Sequence, residues 1–231
     1  MKKLILSLLF PFLSISGISF SQNTDSQSET NSQKYKDVTI LHWNDFHARN
    51  QPYKVTKKDK ETGVENSYIV GGTSGMLGYI NKFRNGNTLL VNGGDDFQGS
   101  PISTITRGKS QIELLNLYGL DAFVIGNHEF DYGQYALDSV LMLAEFDHLC
   151  ANAFLITMDK TVSDRYKIKE VNGVKIGIIG LTALDLMTLT LPKNVSDIKM
   201  LNTDSVVTEG INFMKENDCD IIMLLTHVGV D

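Results

Sequence analysis

The feature that most constrains this fold is an alternation. Short apolar runs recur from residue 38 to residue 225, separated by amphipathic stretches and broken by Gly, Asn and Asp. The runs at 38–43, 88–91, 122–125, 149–154, 166–171, 174–179 and 221–225 read as strands. The stretches at 73–84, 111–118, 134–146 and 206–215 read as helices; in the third, Leu137, Leu141 and Ala144 fall on one face. Asn172-Gly173 sits between two apolar runs, the strongest short-range hairpin pattern. Strands alternating with helices, plus one hairpin, define an α/β class with a mixed sheet. Residues 53–65 are rich in Lys and polar side chains and read as a solvated loop.

Composition excludes several classes. Hydrophobic residues make up 42% and charged residues 21%, which is neither disordered nor fibrous. A net charge of −6 argues against nucleic acid as a partner, because neutralising phosphates requires clustered Lys and Arg. Two cysteines, Cys150 and Cys219, are too few for a disulfide scaffold or a thiolate zinc site. They could pair in an oxidising compartment or stay as buried thiols. Gly108-Lys109-Ser110 fails as a phosphate-binding P-loop because Ser103 stands where that loop needs Gly.

Met1-Lys2-Lys3 followed by an apolar run from Leu4 to Phe10 has the pattern of a secretory signal peptide, with Ser19 and Ser21 flanking a cut after residue 21. The domain expectation is therefore a signal peptide at 1–21, a flexible Ser/Thr/Asn/Gln-rich leader at 22–36 and one domain at 37–231, secreted or periplasmic without stable membrane insertion.

Five polar patches occur where strands should stop, the edge at which open α/β sheets bind ligands. Asn44-Asp45-Phe46-His47 offers a carboxylate and an imidazole two residues apart, placed on one side by the strand pleat. Gly93-Gly94-Asp95-Asp96 turns sharply and aims Asp95 off its strand, with Asp96 pointing elsewhere. Gly126-Asn127-His128-Glu129-Phe130-Asp131 supplies an amide oxygen and a His with an Asp three residues on, an oriented acid/base pair. Asn152 reads as a satisfied buried amide supporting the site. Thr226-His227 ends a buried strand with a candidate ligand. One shared carboxylate flanked by His, Asp and Asn is what two closely spaced cations need to clamp the oxygens of an in-line phosphoryl displacement.

These strings resemble the calcineurin-like metallophosphoesterases, in their 5′-nucleotidase / UDP-sugar hydrolase / 2′,3′-cyclic phosphodiesterase branch. The matches are Ile40-Leu41-His42-Trp43-Asn44-Asp45-Phe46-His47, Gly94-Asp95-Asp96-Phe97-Gln98-Gly99, Gly126-Asn127-His128-Glu129-Phe130-Asp131-Tyr132-Gly133 and Leu225-Thr226-His227-Val228-Gly229. The resemblance implies a two-sheet α/β/β/α sandwich with the site at its strand ends. It implies two divalent metal ions (Mn, Zn, Mg or Co). Asp45 and His47 would hold the first, Asn127 and His227 the second, and Asp95 both. His128, oriented by Asp131, would stabilise charge on the phosphoryl group or leaving oxygen. The implied activity is hydrolysis of a small-molecule nucleotide or phosphoester. A nucleotide-sugar hydrolase, a cyclic phosphodiesterase or a metal-binding relative without turnover are the alternatives. Trp43 replaces a small residue usual in the family, and Asn92-Gly93 replaces Asp-Ala. The 231 residues hold neither the family's Gly-His-x-His motif nor its C-terminal nucleotide-binding domain, so the catalytic domain is expected to be incomplete at its C-terminus.

Overall fold

A computed structural model describes residues 35–229. In chain order the elements are β1 (Thr39–Trp43), β2 (Tyr53–Lys58), β3 (Glu65–Val70), α1 (Thr73–Phe83), β4 (Thr88–Asn92), α2 (Pro101–Thr106), α3 (Lys109–Tyr118), β5 (Ala122–Val124) and α4 (Gln134–Leu141). They continue with β6 (Asp147–Leu149), β7 (Ala153–Leu155), β8 (Lys160–Thr161), β9 (Tyr166–Val171), β10 (Val174–Leu181), α5 (Leu186–Leu189), β11 (Ile198–Met200), α6 (Thr203–Glu216) and β12 (Ile221–Thr226). The expected signal peptide and most of the leader lie outside the described residues.

Two sheets form the body. The first has the order β1-β4-β5-β6 and is parallel throughout. The second is mixed, β12-β10-β9, with β10 parallel to β12 and antiparallel to β9. The β9–β10 turn is Asn172-Gly173, with φ of 52° and 66°, the left-handed pair that suits the twist of a tight hairpin.

The layers follow from which faces are apolar. Leu89, Val91, Ala122, Val124 and Leu149 of the first sheet pack against Val174, Ile176, Ile178 and Leu225 of the second. Leu90, between Leu89 and Val91, points the other way, into a core with Met76 and Ile80 of α1, Ile112 and Leu115 of α3 and Leu137 of α4. On the outer face of the second sheet, Ile179 and Leu181 meet Val206 and Met214 of α6. Strands apolar on both faces need cover on both, and the result is an α/β/β/α sandwich.

Four expectations are corrected. The run at 149–154 is two strands in different sheets, because the backbone between them bonds elsewhere: Cys150 N–H to Asp164 O and Ala151 N–H to Gly180 O. The helix expected to reach residue 146 stops at Leu141; the N–H groups of Leu143 and Ala144 bond three residues back, to Val140 and Leu141, in tight turns. Residues 53–65 are not a loop but belong to the β2–β3 hairpin, in which Tyr53 and Val55 alternate with Lys54 and Thr56. The pleat argument for Asp45 and His47 also fails, since β1 ends at Trp43 before either residue.

Both cysteines are free thiols, and burial pushes the Cys150 thiol up to about 12. Trp43 is buried, edge-on to the Tyr118 ring at 6.0 Å between centroids. Among the described residues no helix is long and apolar enough to cross a membrane.

Candidate metal centre

The ends of β1, β4, β5 and β12 bring the polar patches together. After β1 the chain enters an unusual turn: Asp45, His47 and Ala48 have φ of 53°, 51° and 47°. Asp95, after β4, has φ of 62°. Left-handed backbone at non-glycine residues costs energy and persists only where the surroundings enforce it. Here Asp45 N–H donates to Gly94 O and His47 N–H to Asp95 O, both at 3.0 Å. The two loops therefore hold each other. Gly94 permits the close approach to the third loop, because a Cβ there would lie 2.7 Å from Gly126 N.

Asp95 is nearly buried and lies at the centre of the cluster. Its Oδ1 accepts from the His128 backbone N–H at 2.9 Å, and its Oδ2 lies 3.1 Å from His227 Nε2. The other His227 nitrogen, Nδ1, bonds Gly93 O at 2.8 Å, which fixes the ring. Burial alone would lower the His227 pKa, but the hydrogen bond and charge of Asp95 outweigh it and raise it to about 9. His128 Nδ1 lies 2.8 Å from Asp131 Oδ2; that bond raises the His128 pKa against the opposing effect of burial. The His47 and His128 rings meet edge-on with centroids 5.0 Å apart, and His47 Nε2 lies 3.6 Å from Asp45 Oδ1. The close His47 imidazole, helped by the charge of His227, holds the Asp45 carboxyl below its ordinary value against the opposing effect of burial.

Two groups of potential metal ligands result, His47–Asp95–His128 and Asp45–Asp95–His227, each with ligand atoms within 4.8 Å of one another. Asp95 belongs to both. Three imidazoles and two carboxylates clustered around Asp95, with the buried Asn127 next to His128 in sequence, form a mixed nitrogen and oxygen donor set suited to divalent cations such as Zn²⁺ and Mn²⁺. Every sequence-derived site residue except Asn152 lies in or beside this cluster. Asn152 instead bridges Thr182 with both ends of its amide at 2.9 Å, a satisfied buried group.

Glu129 was missed by the sequence reading. Fully buried, it accepts from the backbone N–H groups of Asp95, Gly126, Asp96 and Phe97 at 2.9, 2.7, 2.8 and 3.2 Å. One carboxylate thus ties the Asp95 loop to the Asn127 loop. Burial and the neighbouring Asp95 charge raise its pKa, while the donated N–H bonds favour its anion. Within Gly-Asn-His-Glu the glutamate is visible, but three of its four donors lie more than thirty residues away. Asn92 has a similar explanation. Its Nδ2 donates to the buried carboxyl of Asp96 and its Oδ1 accepts from Gly94 N–H, so an Asp there would set two carboxylates against each other.

Fold and site together define a class: a two-sheet sandwich whose strand-end loops carry an imidazole–carboxylate cluster able to bind metal. The chain belongs to the calcineurin-like phosphoesterase family, whose model matches residues 38–231. It is 31% identical over 219 residues to a 5′-nucleotidase-related protein of Glossina morsitans morsitans, covering 84% of this chain and 36% of that protein. It is 30% identical over 195 residues to the 5′-nucleotidase of Rattus norvegicus, covering 75% of this chain and 33% of that protein. Among solved structures, the NAD nucleotidase of Haemophilus influenzae superposes with a TM-score of 0.71 at 28% identity, covering 83% of this chain and 34% of that one. The chain spans about a third of the length of these relatives.

Proposed function

We propose that this chain carries the metal-binding face of an exported phosphoester hydrolase acting on nucleotides, in the manner of a 5′-nucleotidase. The observation that carries the reading is the position of Asp95, shared by two ligand groups of which one draws on both sheets. Asp45 and His47, 3.6 Å apart, would hold one cation, Asn127 and His227 the other, and Asp95 both, a partition that cuts across the geometric groups, where Asp45 lies with His227 and His47 with His128. Two cations held there supply Lewis acidity toward a water and the phosphoryl oxygens.

The chain's own residues do the rest. His128 points its Nε2 into the centre while Nδ1 is fixed by Asp131, so it can donate a hydrogen bond or proton to the phosphoryl or leaving oxygen. Glu129 fixes the backbone from which Asp95 and His128 project. The nucleotide preference is supported by the 5′-nucleotidases among the relatives, and export by the N-terminal sequence.

Release of p-nitrophenol from p-nitrophenyl phosphate, and of phosphate from AMP, tests the reading with Mn²⁺ present and after chelation. Metal-dependent turnover that disappears in Asp95→Asn is the expected result. Turnover unaffected by a chelator, or unchanged in Asp95→Asn, would overturn it.

A further inference from the structure

An open cavity of about 440 Å³ adjoins the centre, lined by His47, Arg49, Gln98 and Gly99. His47 is its common wall with the metal cluster. Arg49 lines the same cavity. Arg49 is exposed, and among the described residues no carboxylate forms an ion pair with it.

Its backbone is fixed on both sides. Ala48 is fully buried, and the Asn50 side chain bonds the buried Gln111 amide at 2.7 Å. The Arg49 N–H itself closes a turn onto Phe46 O. The guanidinium lies over the Tyr53 ring, 5.9 Å from its centroid, a contact that restrains a long side chain without neutralising it. Gly99 packs directly on the His47 backbone, since its φ is 136° and a Cβ there would lie 1.9 Å from His47 O. The exposed amide of Gln98 adds neutral hydrogen-bonding groups.

A restrained guanidinium with no ion-pair partner among the described residues, in a cavity that shares His47 with the proposed phosphoryl-binding centre, suits a second anionic group. Arginine offers planar paired donors to phosphate or carboxylate oxygens. We propose that Arg49 is a specificity-determining residue that holds an anionic group of the substrate beyond the phosphoryl group at the metals. The site then favours phosphoesters that carry a second anionic group over simple monoesters. This rests on the phosphoesterase reading above.

The test is calorimetric titration of the Mn²⁺-loaded chain with methylenediphosphonate and with methylphosphonate. The wild type should bind the diphosphonate more tightly. Arg49→Ala should shrink that ratio about tenfold, the scale of one charge-assisted contact. Arg49→Lys should restore only part of it. Tyr53→Phe, which keeps the ring face, should retain it. A wild type without the preference, or an Arg49→Ala ratio equal to wild type, overturns the proposal. Phosphonate binding needs no turnover. An Arg49-dependent ratio alongside turnover that ignores chelation and Asp95→Asn would sink the hydrolase reading alone. Hydrolysis with an unchanged ratio would sink the role of Arg49 alone.

Discussion

Asp95 meets the His128 N–H through one carboxylate oxygen and His227 through the other, so a change there reaches both ligand groups. Asp95→Asn should lower metal content at both positions, whereas Asp45→Asn should mainly affect one. Elemental analysis after dialysis against Mn²⁺ measures this, and unchanged content in Asp95→Asn would contradict a shared role. His128→Ala should keep the metal and cut turnover by about 10²–10⁴-fold. Asp131→Asn should cost less, because Asp131 acts on the phosphoryl group only through the imidazole. Near-normal turnover with lost metal would make His128 a ligand instead. Glu129→Gln replaces an acceptor oxygen with an amine that faces two N–H donors. It should destabilise the fold by about 2–3 kcal/mol, read from urea unfolding. At this scale the side chains that cluster at the strand ends were legible because their residue types and order are chemically restrictive. Glu129 and the Asn92–Asp96 pair were not, because their partners are backbone groups or a neighbouring carboxyl that only the folded turns bring together.

At the scale of elements, strands with apolar residues on both faces, such as β4 and β10, were legible because only a doubly covered strand needs them. Short edge elements were not. The hairpin β2–β3 has Lys and Thr on its exposed face, and the break after β6 is set by bonds to Asp164 and Gly180 far along the chain. β6 also carries the ion pairs that tie the two sheets at one edge. Lys167 and Lys169 alternate on β9 and both reach the Asp147 carboxylate, Lys167 at 2.7 Å. Burial works against the Asp147 charge, yet the two lysine hydrogen bonds prevail and its pKa is lowered below 3.8. A carboxyl with a depressed folded-state pKa stabilises above its unfolded value and loses that contribution as the pH falls through the folded one. Asp147→Asn should therefore cost at most about 1 kcal/mol near neutral pH, given solvent screening. The difference from wild type should close as the pH drops below 3.8. Denaturant midpoints of both proteins across that range measure it, and a gap that widened in acid would reverse the assignment.

At the scale of the whole molecule, the ligand-bearing loops come from both layers. Asp45, Asp95, Asn127 and His128 follow strands of the first sheet, and His227 follows β12 of the second. The sheets are otherwise joined in their middle by aliphatic contacts such as Leu89 and Val91 with Ile176 and Ile178. A cation held by Asp95 and His227 would therefore fasten the strand-end edge of the sandwich. A ligand that binds only the folded chain stabilises it by mass action, about 2.7 kcal/mol at a hundred times the dissociation constant. For a domain of this size that corresponds to a rise in Tm of about 5–10 °C. Wild type should show this rise with Mn²⁺ and lose it on chelation. Asp95→Asn should show almost none. His227→Ala removes the one donor from the second sheet in these groups and should retain less than half of it. Calorimetric scans of the three proteins with and without Mn²⁺ decide the matter. A rise in Asp95→Asn equal to that of wild type would place the stabilising cation elsewhere. An undiminished rise in His227→Ala would confine metal binding to the loops of the first sheet.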